Sequence, residues 1–160
     1  MEIKYFNSNF DKITQNKDTD QSITNLIEKL PSLNIVSDKN LLEETIKISN
    51  QFKEKKEKII VFGTGGSNLG ARALNNIISN NKIILEFYDN VDPINFEKNF
   101  QNINFELTGF LVISKSGTTP ETLSQFSCLY QKAIEANKVE DFFSNTLIIT
   151  EFKESPLFKI

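Results

Sequence analysis

Four short apolar runs, "IIVF" (59–62), "IILEFY" (83–88), "GFLVIS" (109–114) and "TLIIT" (146–150), are spaced so that a helix fits between successive members. Runs this short and this continuously apolar suit strands buried on both faces, as in a parallel sheet; a sheet with one wet face would alternate polar and apolar residues. The intervening segments agree. Residues 69–80 and 120–137 are long enough for crossover helices, and a shorter helix fits "PINFEKNFQ" at 93–101. In 120–137, Leu123, Phe126, Tyr130, Ala133 and Ile134 recur at helical spacing and form the expected buried stripe. Strands alternating with helices predict an α/β fold, a parallel sheet with helices on both faces.

The first 55 residues have another texture, polar and rich in Asn and Lys. Ile23, Leu26, Ile27 and Leu30, then Leu41, Leu42, Ile46, Ile48 and Phe52, fall at spacings of three and four, which predicts amphipathic helices over about 20–30 and 39–55. The expected organisation is a helical segment over 1–55 followed by an α/β domain over 56–160. A doubly wound sheet usually has five or more strands, so four runs suggest a domain truncated at its C-terminus.

Composition excludes several classes. With 39% hydrophobic and 11% aromatic residues the chain can build a core. A net charge of -3, without a basic patch, makes a nucleic-acid partner unexpected. No apolar run reaches the roughly 18 residues that span a bilayer, and "MEIKYFNSNFDK" lacks a signal-peptide core, so no membrane partner and a cytoplasmic location are expected. There is no histidine and one cysteine, Cys128. An internal disulfide is excluded, and no metal site or cofactor is expected. Cys128 lies among Phe126, Leu129 and Tyr130 and is expected to be a buried structural thiol.

Two loops carry the chemistry. "GTGGSNLG" (63–70) follows the first apolar run and "SKSGTTPET" (114–122) the third, each leading into a helix. Ligands of open parallel sheets bind there, where helix N-terminal N–H groups and the helix dipole attract an anion. In the first loop Gly63, Gly65 and Gly66 permit close approach, and Ser67 offers a hydroxyl and a helix cap. In the second, Ser114, Ser116, Thr118, Thr119 and Thr122 surround Lys115, with Pro120 at the first helical position and Thr119 as cap. One cap needs one hydroxyl. Five hydroxyls in nine residues suit the three acceptor oxygens of a phosphate monoester. A dinucleotide G-x-G-x-x-G is met at Gly63 and Gly65, but Asn68 holds the third glycine position; Glu86 or Asp89 would be its ribose partner. The ATP-type loop fails, because Ala71 and Arg72 follow Gly70 where Lys and a hydroxyl are required.

At these residues the chain resembles the phosphoglucose isomerase (glucose-6-phosphate isomerase) family. "VFGTGGSNLGARAL" resembles its glycine-glycine-serine loop, "LEFYDNVDP" its Asn-Val-Asp segment, "LVISKSGTTPETL" its Ser-Lys-Thr-x-Thr-Thr-x-Glu-Thr motif, and "TLIITEFKESPL" the strand and turn that follow. Ser116 replaces the usual threonine and Gly117 a bulkier residue, so "SKSGTT" is also similar to the wider sugar isomerase (SIS) group. The resemblance implies a three-layer αβα sandwich with a parallel, flavodoxin-like SIS sheet preceded by helices. It also implies interconversion of glucose 6-phosphate and fructose 6-phosphate, and a homodimer at full length. Carried across, Ser114, Lys115, Ser116, Gly117, Thr118, Thr119 and Thr122 would hold phosphate, with Gly66 and Ser67 lining the sugar. Glu121 matches the motif glutamate and would support catalysis; alternatively it is a first-turn acid favoured by the helix dipole. Arg72 reads as a surface or interface residue. The family's catalytic base, histidine and lysine are not found in this chain, so it is expected to bind without catalysing alone. A non-catalytic SIS sugar-phosphate sensor and a nucleotide-binding domain are the alternatives.

Overall fold

The computed structural model describes residues 17–30, 34–78 and 82–160. Contacts divide the chain into two units, Met1–Lys47 and Ile48–Ile160. In the first, α1 (Lys17–Lys29) is followed by a 3-10 turn (Ile35–Ser37) and the start of α2 (Lys39–Phe52). Asp38 begins α2, its carboxylate accepting from the Leu41 N–H at 3.0 Å. Both expected helices are present. α2 stops short of residue 55 because the chain turns through Lys55 at φ 59, a left-handed conformation that cannot continue a helix.

The second unit runs β1 (Lys58–Phe62), α3 (Leu69–Ile77), β2 (Ile84–Tyr88), α4 (Pro93–Phe100), β3 (Thr108–Ile113), α5 (Pro120–Glu135), α6 (Val139–Ser144) and β4 (Thr146–Ile149). All strand pairs are parallel, in the order β2-β1-β3-β4. This is the α/β fold expected from the four apolar runs. The short helix at 93–101 is real, because Asp92 accepts from the Ile94 and Asn95 N–H groups and Pro93 takes the first turn.

The register sets Ile60 beside Phe110 and Phe62 beside Val112. These four side chains share one face and pack with Phe100, Phe126, Leu129, Ala133 and Phe142 into the core. Phe142 is at its centre, with ring centroids 5.1 Å from Phe110 and 5.2 Å from Phe126. It comes from α6, a helix of six residues that hydrophobic periodicity does not reveal. On the other face, Gly109 brings the backbone close to the Phe52 ring: a Cβ there would lie 3.0 Å from Phe52 and 3.2 Å from Ile59.

Two expectations about α5 are corrected. Its buried residues are Thr122, Gln125, Phe126, Leu129 and Ala133, whereas Ile134 is exposed. Cys128 is exposed too, not a buried structural thiol. It lies two positions, or about 200°, round the helix from Phe126, which turns it away from the sheet. The helix ends at Glu135: the Lys138 N–H donates to the Ala133 carbonyl at 2.8 Å and the Asn137 N–H to Ile134 at 3.0 Å. With Asn137 at φ 56 this is a Schellman C-cap, so the helix cannot reach residue 137.

Candidate functional site

The strand order decides which loops meet. From β1 the chain moves outward to β2, then returns past β1 to β3, so the sheet reverses direction between β1 and β3. The loops leaving their carboxyl ends flank that switch point, the usual ligand position in open α/β sheets. These are the two loops singled out from sequence, fifty residues apart in the chain and neighbours in the fold.

The second loop is internally braced. Ser114 is 2% exposed; its Oγ accepts from the Gly117 N–H at 3.0 Å and lies 2.8 Å from Thr119 Oγ1. Thr119 is the residue before α5, as expected, but its hydroxyl goes to Ser114 and makes no cap bond. The first turn of α5 therefore has no side-chain cap, and Pro120 brings no N–H. Ser116 Oγ accepts from the Thr118 N–H at 3.2 Å and lies 3.0 Å from Thr118 Oγ1, both side chains facing solvent. Lys115 is 80% exposed and 3.5 Å from Glu151, a surface pair of little energetic weight. Glu121 is exposed in the first turn. Thr122 is fully buried, and its Oγ1 has no hydrogen-bond partner among the described residues.

Sequence reasoning gave no role to the segment that holds this loop. The Lys115 carbonyl accepts from the Glu151 N–H at 3.1 Å, and the Gly117 carbonyl from the Leu157 N–H at 3.2 Å. Ser155 is 5% exposed and starts a 3-10 turn (Pro156–Lys159), its Oγ accepting from the Phe158 N–H at 3.3 Å. The available signal was the turn-like "KESP", whose serine precedes a proline as a cap should.

The first loop contains a 3-10 turn, Gly65–Ser67, with Gly65 at φ 54. Gly66 is exposed and Ser67 half-buried. Ser67 is not the cap of α3. That position is held by Asn68, which is fully buried and donates from Nδ2 back to the Gly63 carbonyl at 3.0 Å. The apparent defect in a dinucleotide motif is thus a structural tie within the loop. The two acids available to a nucleotide reading are engaged elsewhere: Asp89 pairs with Arg72 at 3.0 Å and Glu86 with Lys58 at 2.8 Å. Arg72 lies exposed on α3.

Beside this site, burial and the Glu86 charge push the Tyr88 hydroxyl up to about 12. Its O–H donates to Glu86 at 3.3 Å. Two concavities lie farther out and contain none of the loop residues: one of about 530 Å³ along β2 and α4, lined by Tyr88, Asp89 and Asn95 among others, and one of about 630 Å³ between α4 and α5, which includes Phe96, Gln125 and Cys128. No helix among the described residues is long and apolar enough to cross a membrane.

Against known proteins, the family model described as phosphoglucose isomerase matches residues 16–153. The chain belongs to the phosphoglucose isomerase family. It is similar to the glucose-6-phosphate isomerase of Borreliella burgdorferi, 34% identical over 126 residues that cover 74% of this chain and 23% of that protein. A probable glucose-6-phosphate isomerase of Methanococcus maripaludis is 42% identical over 83 residues, 48% of this chain and 19% of its own. The crystal structure of a glucose-6-phosphate isomerase from Chlamydia trachomatis superposes with a TM-score of 0.62 at 25% identity, covering 72% of this chain and 23% of that one. This phosphoglucose isomerase family member thus spans about a quarter of the length of the relatives it matches.

Proposed function

We propose that the chain is the substrate-phosphate-binding part of a cytoplasmic glucose-6-phosphate isomerase, which interconverts glucose 6-phosphate and fructose 6-phosphate and is a homodimer at full length. The observation that carries the reading is the pair of loops at the β1/β3 switch point, one ending on an α5 N-terminus that its own Thr119 leaves uncapped. Phosphate binds at that helix start and is met by the exposed Lys115, Ser116 and Thr118, with Ser114, Gly117 and Thr119 shaping the loop and Thr122 adding an unpartnered hydroxyl. Gly66 and Ser67 form the sugar wall. Residues 56–160 constitute the first SIS domain, and 1–55 its helical lead-in.

Moving a proton between adjacent carbons needs an acid/base group within about 3 Å of the substrate. Of the site residues only Glu121 carries a carboxylate; its role is to support catalysis, and it does not replace the family's base and histidine. The purified chain binds fructose 6-phosphate without isomerising it. At ten times Kd the ligand adds about 1.4 kcal/mol, a rise in melting temperature of roughly 3–6 °C. A folded sample whose melting temperature does not move at millimolar fructose 6-phosphate overturns the proposal.

A further inference from the structure

We infer that Asn68 is a positioning residue for the sugar end of the ligand, setting the shape of the Gly65–Ser67 turn without touching the phosphate. The inference rests on the sugar-phosphate reading above.

Asn68 ties the end of the first loop to its start. Its Nδ2 donates to the Gly63 carbonyl at 3.0 Å, its N–H donates to the Gly65 carbonyl at 3.1 Å, and its carbonyl accepts from the Arg72 N–H at 3.0 Å. Residues 64–67 are enclosed between these bonds. Gly63 is packed tightly, since a Cβ there would lie 3.2 Å from Ser67 Cβ and 3.3 Å from the Ile113 carbonyl at the end of β3. Gly65 and Gly66, in contrast, have no non-neighbouring heavy atom within 4 Å of a built Cβ. Two consecutive glycines in open space sample many conformations unless their ends are fixed. Asn68 supplies that fixing bond from a side chain.

An Asn at a helix N-cap normally turns its side-chain oxygen to the first-turn N–H groups. Asn68 makes no such bond, and its Oδ1 is buried without a partner among the described residues. The side chain forgoes helix stabilisation and leaves a polar atom unpaired in order to hold Gly63, so its work is on the loop. Since Gly66 and Ser67 face the sugar while the phosphate sits on residues 114–122, loosening the turn affects one end of the ligand only.

The test compares fructose 6-phosphate with inorganic phosphate as separate probes, by calorimetric titration of the wild type, Asn68→Ala and Asn68→Asp. The aspartate keeps the shape and removes the donor facing Gly63. Both variants raise Kd for fructose 6-phosphate about tenfold and change that for inorganic phosphate by less than about twofold. Equal losses for both probes, or no loss, overturn the inference. A wild-type chain that binds neither probe overturns the sugar-phosphate reading itself. Should both variants fail to fold, the side-chain amide signals of Asn68 in the wild type decide by NMR: they shift with fructose 6-phosphate and stay fixed with inorganic phosphate, and immobility with the sugar phosphate counts against the inference.

Discussion

Gly117 adopts φ 65, and a Cβ built there would collide with the Ser155 side chain and lie 2.8 Å from Thr150 Oγ1. Left-handed backbone costs an alanine about 1–2 kcal/mol, and overpacking adds about 1–3. Gly117→Ala therefore destabilises the chain by about 2–5 kcal/mol in urea denaturation and abolishes fructose 6-phosphate binding, because the loop can relieve the collision only by moving. Gly66 offers the contrast, with open space where its Cβ would be. Gly66→Ala stays within about 0.5 kcal/mol of wild type but weakens the sugar phosphate. If it melts and binds as wild type does, Gly66 does not line the sugar. Composition made the second loop conspicuous, since five hydroxyls exceed what one cap needs. What stayed hidden was their division of labour. Ser114 and Thr119 bond each other, and Ser116 bonds Thr118, because short-range geometry between hydroxyls depends on backbone dihedrals that residue type does not specify.

At the level of elements, strong periodicity was legible and short connections were not. The four apolar runs became four strands within a residue or two, but only the central β1 and β3 are largely buried as expected. The edge strands β2 and β4 are no more than partly covered, with Ile84 and Ile149 exposed, because each has a neighbour on one side only. α6 escaped notice because six residues give less than two helical turns, too few for a period to emerge. Yet it contributes Phe142, fully buried against Phe110, Phe126 and Phe105. Phe142→Ala removes that ring from a packed aromatic cluster and costs about 3–5 kcal/mol. This is a large share of the roughly 5–15 kcal/mol of a typical domain, so the variant loses most of its near-ultraviolet dichroism at 37 °C. Retention of a wild-type melting curve would show that the α6 side of the core is dispensable. The same logic explains Cys128: position in a helical stripe, not apolar neighbours in sequence, determines burial.

For the whole molecule, the alternation of strands and helices predicted a parallel sheet but not its strand order; the observed order β2-β1-β3-β4 is what brings the loops after the first and third strands together. The chain's charge behaviour is equally constrained. Without histidine the chain has no side chain whose ordinary pKa lies between pH 5 and 8, so stability there is nearly flat. The alkaline side differs. Tyr88 ionises near 12 in the folded chain against 10.0 when unfolded, so between those pH values the unfolded chain releases the proton first and stability falls as pH rises. Tyr88 is half-buried, and solvent screening reduces its contribution to about 1 kcal/mol. Tyr88→Phe keeps the ring against Phe62, Phe96 and Phe100 and removes the ionisable group. The stability difference between variant and wild type, followed by urea titration from pH 9 to 12, shifts in favour of the variant by about 1 kcal/mol across that window. A difference independent of pH would mean that burial does not hold the Tyr88 proton.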